Sequence, residues 1–157
     1  MPSCTIETPL GHATIVGDNN GVSSISIGDK SIPLSEIIPN ELQACVTQLR
    51  HYFSGDLKTF ELKLNPSGTD FQKKVWLELQ RIPFGKTCSY LELSKQLGDP
   101  KAIRAVANAN GKNPLWVVVP CHRVIGTDGS LTGYAGGLHR KQWLINHESP
   151  YKQQSLF

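Results

Sequence analysis

The sequence predicts an α+β protein. A small N-terminal antiparallel sheet with a helix precedes a mainly helical C-terminal domain that holds a helix-turn-helix and a reactive cysteine. Three observations carry this reading. The first 30 residues alternate apolar and polar with a period of two, which is strand patterning. Beyond residue 68 the apolar residues recur at helical spacing behind two capping boxes, Thr69-x-x-Gln72 and Ser89-x-x-Glu92. Between these parts, Asn65-Pro-Ser-Gly68 reads as a joint, giving domains at 1–66 and 67–157.

The elements follow in order. Cys4-Thr-Ile-Glu-Thr8, His12-Ala-Thr-Ile-Val16 and Val22-Ser-Ser-Ile-Ser-Ile27 are strands, separated by turns at Pro9-Leu-Gly11 and Asp18-Asn-Asn-Gly21. Asn40 is the expected N-cap of a helix through about Phe53, with Leu42, Val46, Leu49 and Phe53 on one face and Gly55 beyond its end. Leu57–Leu64 is the expected site of a further strand. Thr69 opens a helix carrying Phe71, Val75, Trp76 and Leu79, and Pro83-Phe-Gly85 breaks the chain. Ser89 opens a short helix that stops at Gly98. Asp99-Pro100, an N-cap with proline at N1, opens another that ends near Gly111. Two short helices across a tight turn outline a helix-turn-helix. On the second, Ile103, Val106, Ala107 and Asn110 form one side. Lys101, Arg104, Ala105, Asn108 and Ala109 form the other, an acid-free face with small residues suited to nucleic-acid contact.

Charge is split unevenly. Residues 1–66 hold four Lys/Arg against seven Asp/Glu, while residues 67–157 hold twelve against six. Any anionic partner therefore belongs to the second part. No apolar run approaches membrane-spanning length, and the first residues lack the basic and apolar regions of a signal peptide. Cys4, Cys45, Cys88 and Cys121 are widely spaced with no C-x-x-C pair. A disulfide framework or zinc clip is not expected, and reduced thiols suit a cytoplasmic location.

Cys121 is the cysteine with a chemical context. The run Val117-Val-Val119 reads as a core strand that Pro120 ends, leaving Cys121, His122 and Arg123 at its tip. Nearby positive charge favours a thiolate, which needs a base, and the base needs an orienting acid. His122, His139 and His147 are the histidines available, and Glu148 is the only acid after Asp128. A Cys121-His122-Glu148 relay fits, but so would a thiol hydrolase.

The run Val119-Pro-Cys-His-Arg-Val-Ile125 resembles the active-site signature of the O6-alkylguanine-DNA alkyltransferases, the methylated-DNA–protein-cysteine methyltransferases. Phe71-Gln72, Val75-Trp76, Ile82-Pro-Phe-Gly85, Ser89-Tyr90, Arg104-Ala-Val106, Gly111-Lys-Asn-Pro114, Gly133-Tyr-Ala-Gly-Gly137 and Lys141-Gln-Trp-Leu144 also fall in that family's order and spacing. The resemblance implies direct, stoichiometric transfer of the alkyl group from O6-alkylguanine, and from O4-alkylthymine, to Cys121 after the base is flipped out of the duplex. His122 would act through a water to deprotonate Cys121, with Glu148 orienting the imidazole. Tyr90 would meet guanine N3, backbone groups of Val124 and Ala135 would read the guanine edges, Tyr134 would be a further substrate-binding residue, Arg104 would fill the hole the base leaves, and Asn113 would tie the helix-turn-helix to the active-site turn. The implied partner is double-stranded DNA, bound by a monomer without a cofactor.

Two departures qualify the likeness. The zinc-ligand positions that some relatives carry after Pro9-Leu-Gly11 appear here as Asp18 and Ser23 or Ser24, so no metal is expected. Trp116 stands five residues before Cys121, where relatives often have proline or alanine. Strand alternation could put it at a pocket mouth, and core packing is the other reading. The rival function is a non-catalytic alkyltransferase-like lesion binder, which typically carries tryptophan at the acceptor position. Cys121, His122 and Glu148 together argue against that.

Overall fold

The computed structural model describes residues 1–129, Tyr134 and residues 137–150. They form two compact units. One comprises Met1–Gly68 with Pro114–Val118, the other Thr69–Asn113 with Val119 onward.

The first unit is built on β1 (Ser3–Thr8), β2 (Gly11–Asp18) and β3 (Gly21–Gly28), an antiparallel meander in that order. Its register pairs Cys4 with Ile15, Ile6 with Ala13 and Ile15 with Ile25, so apolar residues stack across one face. A bulge falls at Val16/Gly17, where a Cβ on Gly17 would stand 2.8 Å from the Gly21 carbonyl oxygen. Helix α1 (Gln43–Ser54) packs against β1 and buries Cys45, Val46, Leu49 and Tyr52. Gly55 ends it in the left-handed conformation (φ 90°), as its position in the sequence predicts.

Two expectations for this unit are corrected. Asn40 does not cap α1 but begins a 3₁₀ turn, Asn40–Leu42, in which the Leu42 amide donates to the Pro39 carbonyl at 3.0 Å. Leu57–Leu64 is not a strand. The Gln48 side chain takes the backbone N–H and C=O of Glu61 (2.8 and 3.1 Å), and only Leu64 bridges to Val22. Pro114–Trp116 runs along β3 as well, with the Ile25 amide donating to Pro114 (2.8 Å) and the Trp116 amide to Ile25 (3.1 Å). Short segments thus cover an edge that would otherwise expose unpaired backbone groups.

In the second unit, α2 (Asp70–Leu79), α3 (Tyr90–Gln96) and α4 (Ile103–Gly111) pack on one another. Both predicted capping boxes are present with both halves made. Gly98 (φ 92°) closes α3, and the Asp99 amide reaches back to the Ser94 carbonyl at 3.0 Å. α4 starts later than predicted. The Asp99 carboxylate accepts from the Lys101 amide (3.0 Å), holding residues 99–102 in a turn, and Ala102 becomes the N-cap. Ala109, expected on the outer face, is buried, and its carbonyl accepts from Trp76 Nε1 at 2.8 Å. Two parallel residue pairs join β4 (Cys88–Ser89) to β5 (Val124–Ile125). Helix α5 (Leu138–Glu148) completes the unit, burying Lys141, Leu144 and Glu148 on one row.

Candidate active site

The apolar run before Cys121 is not a strand. The Val118 amide donates to the Trp116 carbonyl (2.8 Å) around Val117 at φ 70°. The Cys121 amide donates to Val119 (2.8 Å) around Pro120 at φ −81°, ψ 65°. Both are γ-turns, the second of the relaxed inverse kind and the first of the strained kind. A β-branched residue at positive φ costs about 1–3 kcal/mol. Hydrophobicity alone cannot distinguish such a buried double turn from a strand, because both bury every side chain.

From that turn the chain enters a single 3₁₀ turn, Cys121–Arg123, and then β5. The β4–β5 register sets Cys88 opposite Val124 and Ser89 opposite Ile125. Because Ser89 caps α3, the same pairing fixes where Tyr90 begins its helix relative to the Cys121 turn. Asn113, just past α4, donates from Nδ2 to the Val119 carbonyl at 2.8 Å and so ties the end of the helix pair to that turn.

His122 is fully buried, and its Nε2 lies 2.7 Å from Glu148 Oε2. Arg123 grips the same carboxylate, Nε to Oε1 at 2.8 Å and Nη2 to Oε2 at 3.0 Å, while Nη1 donates to the Ile82 carbonyl at 2.6 Å. Burial would raise the Glu148 pKa, but the hydrogen bonds and charges of His122 and Arg123 outweigh it and hold it at about 2. Burial lowers the His122 pKa. Glu148 opposes that shift, and the Arg123 and Lys141 charges reinforce it. At neutral pH the pair is therefore a carboxylate and a neutral imidazole. A carboxylate can only accept, so Nε2 carries the proton and Nδ1 keeps its lone pair. Nδ1 is buried with no hydrogen-bond partner among the described residues. This is the configuration of a base.

Cys121 is buried, and burial pushes its thiol up. The Asn113 side chain, the Lys141 charge and its own backbone pull it down. Arg123, expected from sequence to favour the thiolate, is not among these influences; its guanidinium is turned to the Glu148 carboxylate and the Ile82 carbonyl. The cation that acts on the sulfur is Lys141, fully buried, its Nζ 6.0 Å from the centre of the Tyr90 ring. The sequence carried a signal for it. Lys141, Leu144 and Glu148 sit at i, i+3 and i+7, so a lysine occupies the inward row of α5.

Other site residues fall as follows. Tyr90, Val124 and Tyr134 are buried in the same unit as Cys121. Arg104 stands exposed on α4 with Ala105 and Asn108, and Lys101 is exposed in the turn before the helix. Ala135 lies outside the described residues. The Ile82–Gly85 motif forms a wall behind the ion pair. Ile82 receives Arg123, the Phe84 ring lies 5.8 Å from the guanidinium carbon, and Gly85 (φ 82°) passes so close that a Cβ would stand 3.0 Å from the Glu148 carbonyl oxygen. Among the described residues no group of three or more His, Cys, Asp or Glu could hold a metal ion.

A buried thiol, a neutral imidazole with a free lone pair and a carboxylate that orients it define the class: an α+β protein built for cysteine chemistry beside a helix-turn-helix. Comparison with known proteins names the kind. Residues 3–66 match the 6-O-methylguanine DNA methyltransferase ribonuclease-like domain, and residues 70–150 match the DNA binding domain of the same name. The methylated-DNA–protein-cysteine methyltransferase of Methanosarcina acetivorans is 46% identical over 147 residues, 90% of this chain and 94% of the relative. That of Mycolicibacterium paratuberculosis is 43% identical over 156 residues, 97% of this chain and 94% of the relative. The crystal structure of Mycobacterium tuberculosis OGT in complex with DNA superposes with a TM-score of 0.84 at 42% identity, covering 93% of this chain and 92% of that one. The chain belongs to the 6-O-methylguanine DNA methyltransferase family.

Proposed function

We propose that this protein repairs DNA by accepting the alkyl group of O6-alkylguanine on Cys121. The observation that carries the reading is the arrangement of His122, which offers an unprotonated Nδ1 while Glu148 holds Nε2. Cys121 passes its proton through a water to Nδ1. The sulfur attacks the alkyl carbon, the S–C bond forming as the C–O6 bond breaks. The electron pair of the broken bond returns to the guanine, and Tyr90 donates a hydrogen bond to N3 as the base leaves. The reactive carbon is inaccessible inside a duplex, so extrusion precedes attack. Arg104, on the exposed face of α4, fills the space left behind. Val124 and Tyr134 take part in binding the base. Family membership and the DNA complex of the mycobacterial relative support a DNA partner, which we take to be double-stranded and bound by a monomer. O4-alkylthymine would enter by the same route.

Thioethers resist hydrolysis, so each molecule is expected to act once. Incubation with duplex carrying O6-methylguanine should add one methyl group per protein, mapped to Cys121, while Cys121→Ser binds the duplex and gains nothing. Repair of several lesions per molecule, or a methyl group elsewhere, would refute the reading. The non-catalytic lesion-binding alternative predicts no mass gain at all.

A further inference from the structure

Asn110 is the one polar side chain that α4 buries completely, at 1% exposure. Its Nδ2 donates to the hydroxyl of Tyr90 at 3.5 Å, and its Oδ1 has no hydrogen-bond partner among the described residues. A leucine would fill the same place without an orphaned carbonyl, so packing alone does not call for an amide. We propose that Asn110 is a positioning residue for base recognition, its amide fixing the direction of the Tyr90 hydroxyl. A phenol offers one hydrogen and accepts others. When the Asn110 amide donates to its oxygen, the phenolic hydrogen points away from Asn110, and a hydroxyl that accepts is a better donor. In the complex with DNA its acceptor is the ring nitrogen of the extruded base. The inference rests on the reading that Tyr90 meets N3.

The test uses duplexes carrying either O6-methylguanine or its 3-deaza analogue, in which a C–H replaces N3. Single-turnover methyl transfer is measured for the wild-type protein, Asn110→Leu and Asn110→Met. The two variants remove the donor in different shapes, and both should melt no lower than wild type. The wild-type protein should react roughly tenfold more slowly with the 3-deaza base, the loss of one useful hydrogen bond. Both variants should be several-fold slower than wild type on the natural base and equal to it on the analogue. Equal losses on both bases would overturn the proposal and make Asn110 a packing residue. A wild-type protein indifferent to the analogue would overturn the Tyr90 contact itself, and the proposal with it.

Discussion

Cys121 is buried and so favours its protonated form, and the residues around it divide the work of changing that. Lys141 stabilises the thiolate through space, and in the proposed mechanism His122 takes the proton. Lys141→Met should therefore slow transfer several-fold at neutral pH and move the rise of rate with pH to higher values, read from single-turnover rates across a pH series. A loss that is uniform in pH would mean Lys141 only packs. Glu148 has a second duty, because it neutralises the buried Arg123. Its folded pKa of about 2 lies below its ordinary 4.5, so the stability it contributes is present above 4.5 and is lost as pH falls toward 2. The size is about 3 kcal/mol. His122, also depressed, adds a loss that begins below its ordinary 6.5. Melting temperature should fall progressively from about pH 6.5 downward. Glu148→Gln should cost about 3–5 kcal/mol at pH 7, because it leaves a buried guanidinium without its countercharge. An unchanged melting temperature would show that water, not Glu148, solvates Arg123.

Helix α4 and the turn before β4 carry the predictions at the scale of elements. Arg104 stands on an exposed face of α4, a helix without an acid, and Lys101 is exposed in the turn before it. If it props the duplex open, Arg104→Ala should slow repair in duplex DNA by roughly tenfold, since unstacking a base costs a few kcal/mol. Reaction with the free base O6-methylguanine should hardly change. Equal loss on both substrates would make Arg104 a support of the fold. Gly85 tests the wall behind the ion pair. At its φ of 82° a side chain is strained, and a Cβ 3.0 Å from the Glu148 carbonyl oxygen would push on the end of α5. Gly85→Ala should destabilise by about 1–3 kcal/mol and displace the end of α5, lowering transfer as well as melting temperature. Gly98→Ala is the matched control. It has similar φ but nothing within 4 Å, so it should cost stability while leaving the transfer rate near wild type.

At the scale of the molecule, the chain crosses from the helical unit to the sheet unit and back within Pro114–Val118. Trp116 lies in that excursion. It is buried in the sheet unit, its ring 5.8 Å from that of Phe53, which favours the core-packing reading over the pocket mouth. The strand alternation that pointed to a pocket does not apply, because the segment turns twice instead of extending. Trp116→Ala should therefore destabilise by about 3–5 kcal/mol and leave the relative rates with O6-methyl- and O6-benzylguanine in DNA unchanged. A selective gain for the benzyl base would return Trp116 to the substrate pocket.

The sequence by itself determined the three-stranded meander, the capped starts of α2 and α3, and the glycine ends of α1 and α3. Those are local properties. Period-two patterning, capping boxes and glycine at positive φ are satisfied by residues within a few positions of one another. Tertiary structure decided the rest. Gln48 took the hydrogen bonds that a strand at 57–64 would have used, and Asp99 closed a turn where a helix was expected. The carboxylate 26 positions from His122 met an arginine as well as the imidazole, and Lys141 displaced Arg123 as the cation felt by the sulfur. Such outcomes turn on which distant groups share a buried space. There, desolvation forces every charge and donor to find a partner, and sequence spacing does not say which one.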